Sequence, residues 1–183
     1  MPLNIGGGGG GGSFVRFKPS MNAWERSGEN GAEEFDFNKP AIFDVENIEL
    51  GWLLLDSNTR EWKPWASLTA RTPKPDEREW KQGFVLKVYS KELFGNDPVR
   101  EFSGNGAGVM QFVKNLYDAT EAEFGKGKVP VVKITGSKAE KMGKGNTRII
   151  QFEVVKWVAR PDVLGGVGAV PEPAAEEDEV EFE

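Results

Sequence analysis

Histidine and cysteine are both absent from the 183 residues. Without cysteine there is no disulfide, thiolate nucleophile, zinc–thiolate site or iron–sulfur cluster. Without histidine the commonest general base and the commonest transition-metal ligand are missing. Ser-His-Asp and Cys-His arrangements are therefore excluded. Catalysis is left with carboxylates and Mg²⁺, or with Lys, Tyr or Ser in rarer arrangements, so the expectation is a protein that is not an enzyme and carries no cofactor. No apolar run approaches the roughly 18–20 residues that span a bilayer. The opening MPLNIGGGGGGGSF has neither the basic region nor the apolar core of a secretory signal. A cytoplasmic protein with no membrane partner is expected.

Hydrophobic residues make up 38% of the chain. That is enough for one core but lean, as expected where part of a chain does not fold. The net charge of -6 is unevenly placed. Residues 171–183 carry seven acids and no base, and the remainder holds 23 bases and 22 acids. Residues 126–160 contain nine Lys or Arg against two acids, Glu140 and Glu153, a local excess of +7. This division into a mixed part, a basic segment and an acidic end points to a polyanionic partner, nucleic acid first.

Residues 6–12 are seven consecutive glycines, which read as flexible coil. SFVRFK is a candidate short strand. Ala41 to Asp56 reads as one long strand bent at Gly51. EWKPWASL is a shorter one with Pro64 at an edge, and RTPKPDERE a loop. Gly83 to Lys91 alternates, with Phe84, Leu86 and Val88 on one side and Val85, Lys87, Tyr89 and Lys91 on the other. FGNDPVREFSGNG reads as a loop. Val109, Phe112, Val113, Leu116, Tyr117 and Thr120 form one face of a helix over 107–124, closed by Gly125. VPVVKITGSK and NTRIIQFEVVKWVAR are the last two strands, joined by a basic loop. In the last strand Ile150, Phe152, Val154 and Val158 are expected inward, and Ile149, Gln151, Glu153 and Trp157 outward.

The element order β-β-β-α-β-β matches a mainly β, five-stranded OB-fold-like Greek-key barrel with one helix between strands 3 and 4. A long, glycine-bent first strand suits a barrel, where one strand serves both sheets. The expected divisions are a Gly-rich flexible N-terminus (1–12), an OB-fold-like nucleic-acid-binding domain (13–160), and a linker with an acidic tail (161–183). GNGAG at 104–108 lacks the third glycine and the parallel βαβ unit of a dinucleotide loop. The other glycine runs lack P-loop spacing.

Single-stranded nucleic acid is held by cations that track phosphates and by flat side chains on which bases stack. Both are interleaved here. Lys87, Tyr89 and Lys91 share one side of a strand, and Lys133 faces outward on another. Lys138, Lys141, Lys144 and Arg148 line the loop between the last two strands. Trp157 lies on the last strand, and Trp62 and Trp65 flank Lys63. Six tryptophans in this length is a high count. An alternating Lys is also what any solvated strand face carries, and an aromatic residue is more often core than platform.

This layout, with the tail EEDEVEFE, resembles the single-stranded DNA-binding proteins of DNA replication, of the bacteriophage-encoded type rather than the bacterial tetrameric type. The resemblance covers Ala41 to Arg160 by layout and the tail by composition and position. It implies coating of single-stranded DNA in replication, recombination and repair, in a host cytoplasm, with homo-oligomerisation possible. It also implies that the acidic tip competes with DNA and recruits replication or recombination proteins. On this chain Glu176, Glu177, Asp178, Glu179, Glu181 and Glu183 would be the phosphate mimics and Phe182 the anchor. Such tails commonly end on the aromatic residue, whereas here Glu183 follows Phe182. Two alternatives stay open: a Mg²⁺-dependent nuclease-like enzyme using Asp44 and Glu46 near Glu49, and a scaffold protein whose tail only solubilises it.

Overall fold

The computed structural model describes residues 13–55, 60–143 and 145–166. Ten strands form one branched, curled half-barrel sheet. In chain order they are β1 (Phe14–Lys18), β2 (Ala23–Gly28), β3 (Gly31–Phe35), β4 (Ala41–Phe43), β5 (Glu49–Leu55), β6 (Arg60–Pro64), β7 (Lys81–Tyr89), β8 (Val99–Gly104), β9 (Lys128–Met142) and β10 (Gly145–Ala159). A one-turn helix, α1 (Lys91–Phe94), follows β7, and the main helix, α2 (Ala107–Thr120), follows β8. Spatially the strands run β10-β9-β4-β7-β8-β1-β2-β3, with a side leaf in which β5 pairs β7 and β6.

The five-stranded OB barrel is therefore overturned. The stretch 41–56 is not one bent strand. A 3-10 turn at Val45–Asn47 divides it, and β4 and β5 lie in succession along the same edge of β7. The division falls at Asp44, a buried carboxylate whose partner is Arg160. Nor is 99–104 loop: it is β8, which pairs along β7 from Phe84 to Tyr89. Residues 13–35 add three strands through a parallel β1–β8 pair. The expected basic hairpin loop is also strand, because β9 continues to Met142 and β10 begins at Gly145.

Helix α2 covers the inner face of the sheet with Val109, Phe112, Val113 and Leu116, all buried. Gly108 sits so close to β10 that a Cβ there would meet the Arg148 carbonyl and the Thr147 side chain. Phe102 is the hub, fully buried, with ring centroids 5.0 Å from Phe84, 5.6 Å from Trp24 and 6.1 Å from Phe43 and Phe112. Tilted and edge-on pairs of this kind add to the area they bury. Alternation puts Val15, Phe84, Leu86, Val88 and Phe102 on this face. The residues between them fall on the outer face.

The outer face is capped at one end. Leu164 is buried over Ile42 and Val129, with Tyr89, Val99, Val131 and Val158 packed around them. Folded structure thus runs past Arg160, where the sequence places the linker. Arg160 makes a two-pronged ion pair with Asp44, at 3.0 and 2.6 Å. A third cluster, Trp52, Leu54, Trp80 and Trp65, pins the loop between β6 and β7. There the Trp80 indole N–H and the Arg78 side chain donate to Asp76. Arg78 foremost holds the Asp76 carboxyl well below the usual carboxylate range. No helix among the described residues is long and apolar enough to cross a membrane.

Candidate nucleic-acid interface

The uncapped end of the outer face is built around Trp62. Gly51 on β5 and Gly83 on β7 are cross-strand partners. A Cβ on Gly51 would meet the Lys63 carbonyl at 2.6 Å and the Trp62 ring at 2.7 Å; one on Gly83 would meet the Gly104 carbonyl at 2.9 Å and touch the ring in ordinary contact at 3.5 Å. The two glycines clear a floor, and the half-buried indole lies across both strands. Its Nε1–H donates to Glu49 Oε1 at 3.2 Å. Gly51→Ala should lift the ring, lowering stability by about 1–3 kcal/mol and raising acrylamide quenching of tryptophan emission. Unchanged quenching would mean the ring is seated elsewhere.

Strand register places cations and a second aromatic ring on the same face as Trp62. Lys87 is exposed and directly opposite Glu101 of β8, which in turn lies opposite Phe14 of β1. Arg60 shares a face of β6 with Trp62, and Lys81 lies opposite Leu53 at the start of β7. The Arg16 guanidinium sits 4.8 Å from the Phe14 ring centroid. Arg16 and Lys18 both pair with Glu25, at 3.1 and 3.4 Å. Glu101 is the anomaly of this face, because its Oε2 is buried without a hydrogen-bond partner among the described residues. Burial first, and the neighbouring Glu49 carboxylate second, push the Glu101 carboxyl up to about 7, against the opposing pull of Lys87 and Arg60.

A second basic element is the β9–β10 hairpin. Its arms are 15 residues each, and β4 pairs with it only at Val131 and Val132. Lys133, Lys138 and Lys141 are exposed along β9, opposite Glu153, Ile149 and Asn146. Arg148 is half-buried and has a structural partner. Its Nη1 donates to Ser137 Oγ at 2.9 Å, and that hydroxyl donates to Asn22 at 2.6 Å. Lys144 lies outside the described residues.

The other expected residues are dispersed. Lys63 is exposed but opposite Trp52, so it projects from the side away from Trp62. Trp65 packs edge-on against Trp52, centroids 5.6 Å apart. Tyr89 is on the outer face but lies in the Leu164 cluster. Lys91 is past the strand, at the first residue of α1. Trp157 does not face outward. An extra residue between Val154 and Lys156 shifts the register, placing Val158 in the outer cluster and Trp157, opposite Pro130, on the other side. Glu176, Glu177, Asp178, Glu179, Glu181, Phe182 and Glu183 lie outside the described residues. The carboxylates considered for Mg²⁺ are separately engaged: Asp44 with Arg160, Glu46 with the Gly125 amide and Glu49 with Trp62. Among the described residues no group of three potential ligands could hold a metal ion.

Sequence reasoning missed Phe14, Arg16, Arg60 and Lys81. A signal existed for the first two: in FVRFK, Val15 and Phe17 are buried and the residues between them are not. Arg60 and Lys81 required knowing that β5 stands between β6 and β7. No protein-family model matches the chain, and no curated protein or solved structure matches it either.

Proposed function

We propose that this protein binds single-stranded DNA with little sequence preference, in replication, recombination or repair, and that the strand lies on the outer face around Trp62. The observation that carries the reading is a half-buried indole seated over Gly51, on the same sheet face as Lys87, Arg60 and Phe14. A half-exposed ring seated on a rigid sheet offers a stacking surface to any base, and the cations meet the phosphates. On β9 Lys133 and Lys138 extend the positive surface, and Lys141, three residues beyond Lys138, lies on the other face of the hairpin. The choice of DNA over RNA rests on the resemblance in layout.

The tail enters through its tether. Asn47 Nδ2 donates to the Gly166 carbonyl at 3.2 Å, next to the Leu164 cap on the outer face. Seven acids in 171–183 follow this anchor point in the chain. Tethered to the same chain, they compete with phosphate at a raised effective concentration, and the same tip is the proposed handle for replication partners.

The test is tryptophan fluorescence on titration with oligo-dT and with duplex DNA, using the full chain and a chain ending at Val170. Quenching by oligo-dT and not by duplex is expected, with log K falling against log salt at about -0.7 per phosphate contacted. The shortened chain should bind more tightly. No saturable response from either chain would leave the scaffold reading standing.

A further inference from the structure

We propose that Glu101 is a proton-operated brake on this face: uncharged, it leaves Lys87 and Arg60 to nucleic-acid phosphates, and ionised, it draws on both and adds a negative charge beside Trp62. The inference deepens the nucleic-acid reading and rests on it.

The geometry is specific to this position. Glu101 stands at the middle of the outer face, with Lys87 opposite it on β7 and Phe14 opposite it on β1. The charged groups around it are Glu49 from β5, Lys87 from β7 and Arg60 from β6, with Arg16 next along that face of β1. Glu49 is already the acceptor for the Trp62 indole. Glu101 Oε2 is buried and has no hydrogen-bond donor among the described residues, so its charge is poorly compensated. The carboxyl is held up to about 7, so it changes charge in the range where cells operate. The absence of histidine and cysteine sharpens this: no side-chain type that ordinarily titrates between about pH 6 and 8 occurs in the chain. Phosphodiesters do not titrate there either.

The experiment is oligo-dT affinity at pH 6, 7 and 8 at constant ionic strength, for the natural chain and for Glu101→Gln. The Kd of the natural chain should rise about three- to ten-fold from pH 6 to pH 8, the effect of one partly screened charge. Glu101→Gln should bind within about two-fold of one affinity throughout, because the amide keeps the shape and removes the titration. The α-amino group, which titrates in a nearby range, is retained in that variant. A pH slope that survives Glu101→Gln would therefore overturn the brake. So would a flat profile in a natural chain that does bind, and that outcome leaves the binding function intact. Absence of binding at every pH would overturn both.

A second readout needs no nucleic acid. The folded protein keeps the Glu101 proton up to about pH 7, and the unfolded chain releases it near 4.5. Between these values the native state binds more protons, so its stability falls as pH rises. The melting temperature of the natural chain should fall relative to Glu101→Gln between pH 5 and 8. A constant difference would show that Glu101 does not titrate there and would overturn the brake.

Discussion

Arg160→Ala should destabilise the protein by about 3–5 kcal/mol, the scale for removing one partner of a buried ion pair. The Asp44 side chain is 2% exposed and that of Arg160 10%. Two guanidinium nitrogens reach the two carboxylate oxygens, so alanine leaves a buried charge whose remaining donor is Asn47 at 3.3 Å. The loss spreads, because Arg160 also donates to the carbonyls of Gly165 and Leu164 and so holds the segment that caps Ile42 and Tyr89. Asp44→Asn in the Arg160→Ala background should recover part of the loss, since the amide carries no charge to strand. Urea unfolding of the two single variants and the double variant measures this. A single-variant cost below about 1 kcal/mol, the scale of a surface pair, would mean the cap is peripheral to the fold.

Trp62→Ala should weaken oligo-dT binding about 10- to 100-fold, in the range measured for loss of one base-stacking platform. Trp62→Phe should stay within a few-fold, because a ring remains over Gly51 and Gly83. Trp157→Ala should leave affinity near that of the natural chain, since Trp157 sits opposite Pro130 on the other side of the hairpin. The contrast separates a true platform from a general dependence on aromatic content. Circular dichroism and melting temperature confirm that each variant is folded before affinities are compared. If Trp62→Ala binds like the natural chain and Trp157→Ala does not, the binding surface is the hairpin and not the outer face.

The parts legible in the sequence are those where burial alternates within one segment. β7 follows its facing pattern, with Phe84, Leu86 and Val88 in the core and Lys87 exposed, although Val85 on the opposite side is buried as well and Lys91 falls beyond the strand. α2 follows the expected apolar face but stops at Thr120, four residues short of Phe124: its C-cap is Glu121, a 3-10 turn takes Glu121–Glu123, and Gly125 at φ 83° comes after that turn and does not cap the helix. β3 reads GAEEF and buries nothing fully. Its strand character comes from hydrogen bonds to β2, which leave no mark in a polar sequence. β8 hides for a related reason: Phe102 is its one fully buried apolar residue, and Arg100 takes the other buried position by donating to Ser27 and Phe94.

The sites divide the same way. Composition alone determined that this chain has no thiol or imidazole chemistry, that its positive charge is concentrated before Arg160, and that acids follow it. Alternation determined that Lys87 and Lys133 stand clear of the core. Tertiary structure decided which aromatic rings are available. Trp62 has a floor because Gly51 and Gly83 meet across two strands, Tyr89 is covered because Leu164 folds back on it, and Trp157 turns away because one extra residue shifts β10. It also decided the environment of Glu101, which depends on strands that bring Glu49, Arg60 and Lys87 from separate parts of the chain to one carboxyl. Local periodicity carries which side of a strand a residue is on. Only long-range pairing carries what lies beside it.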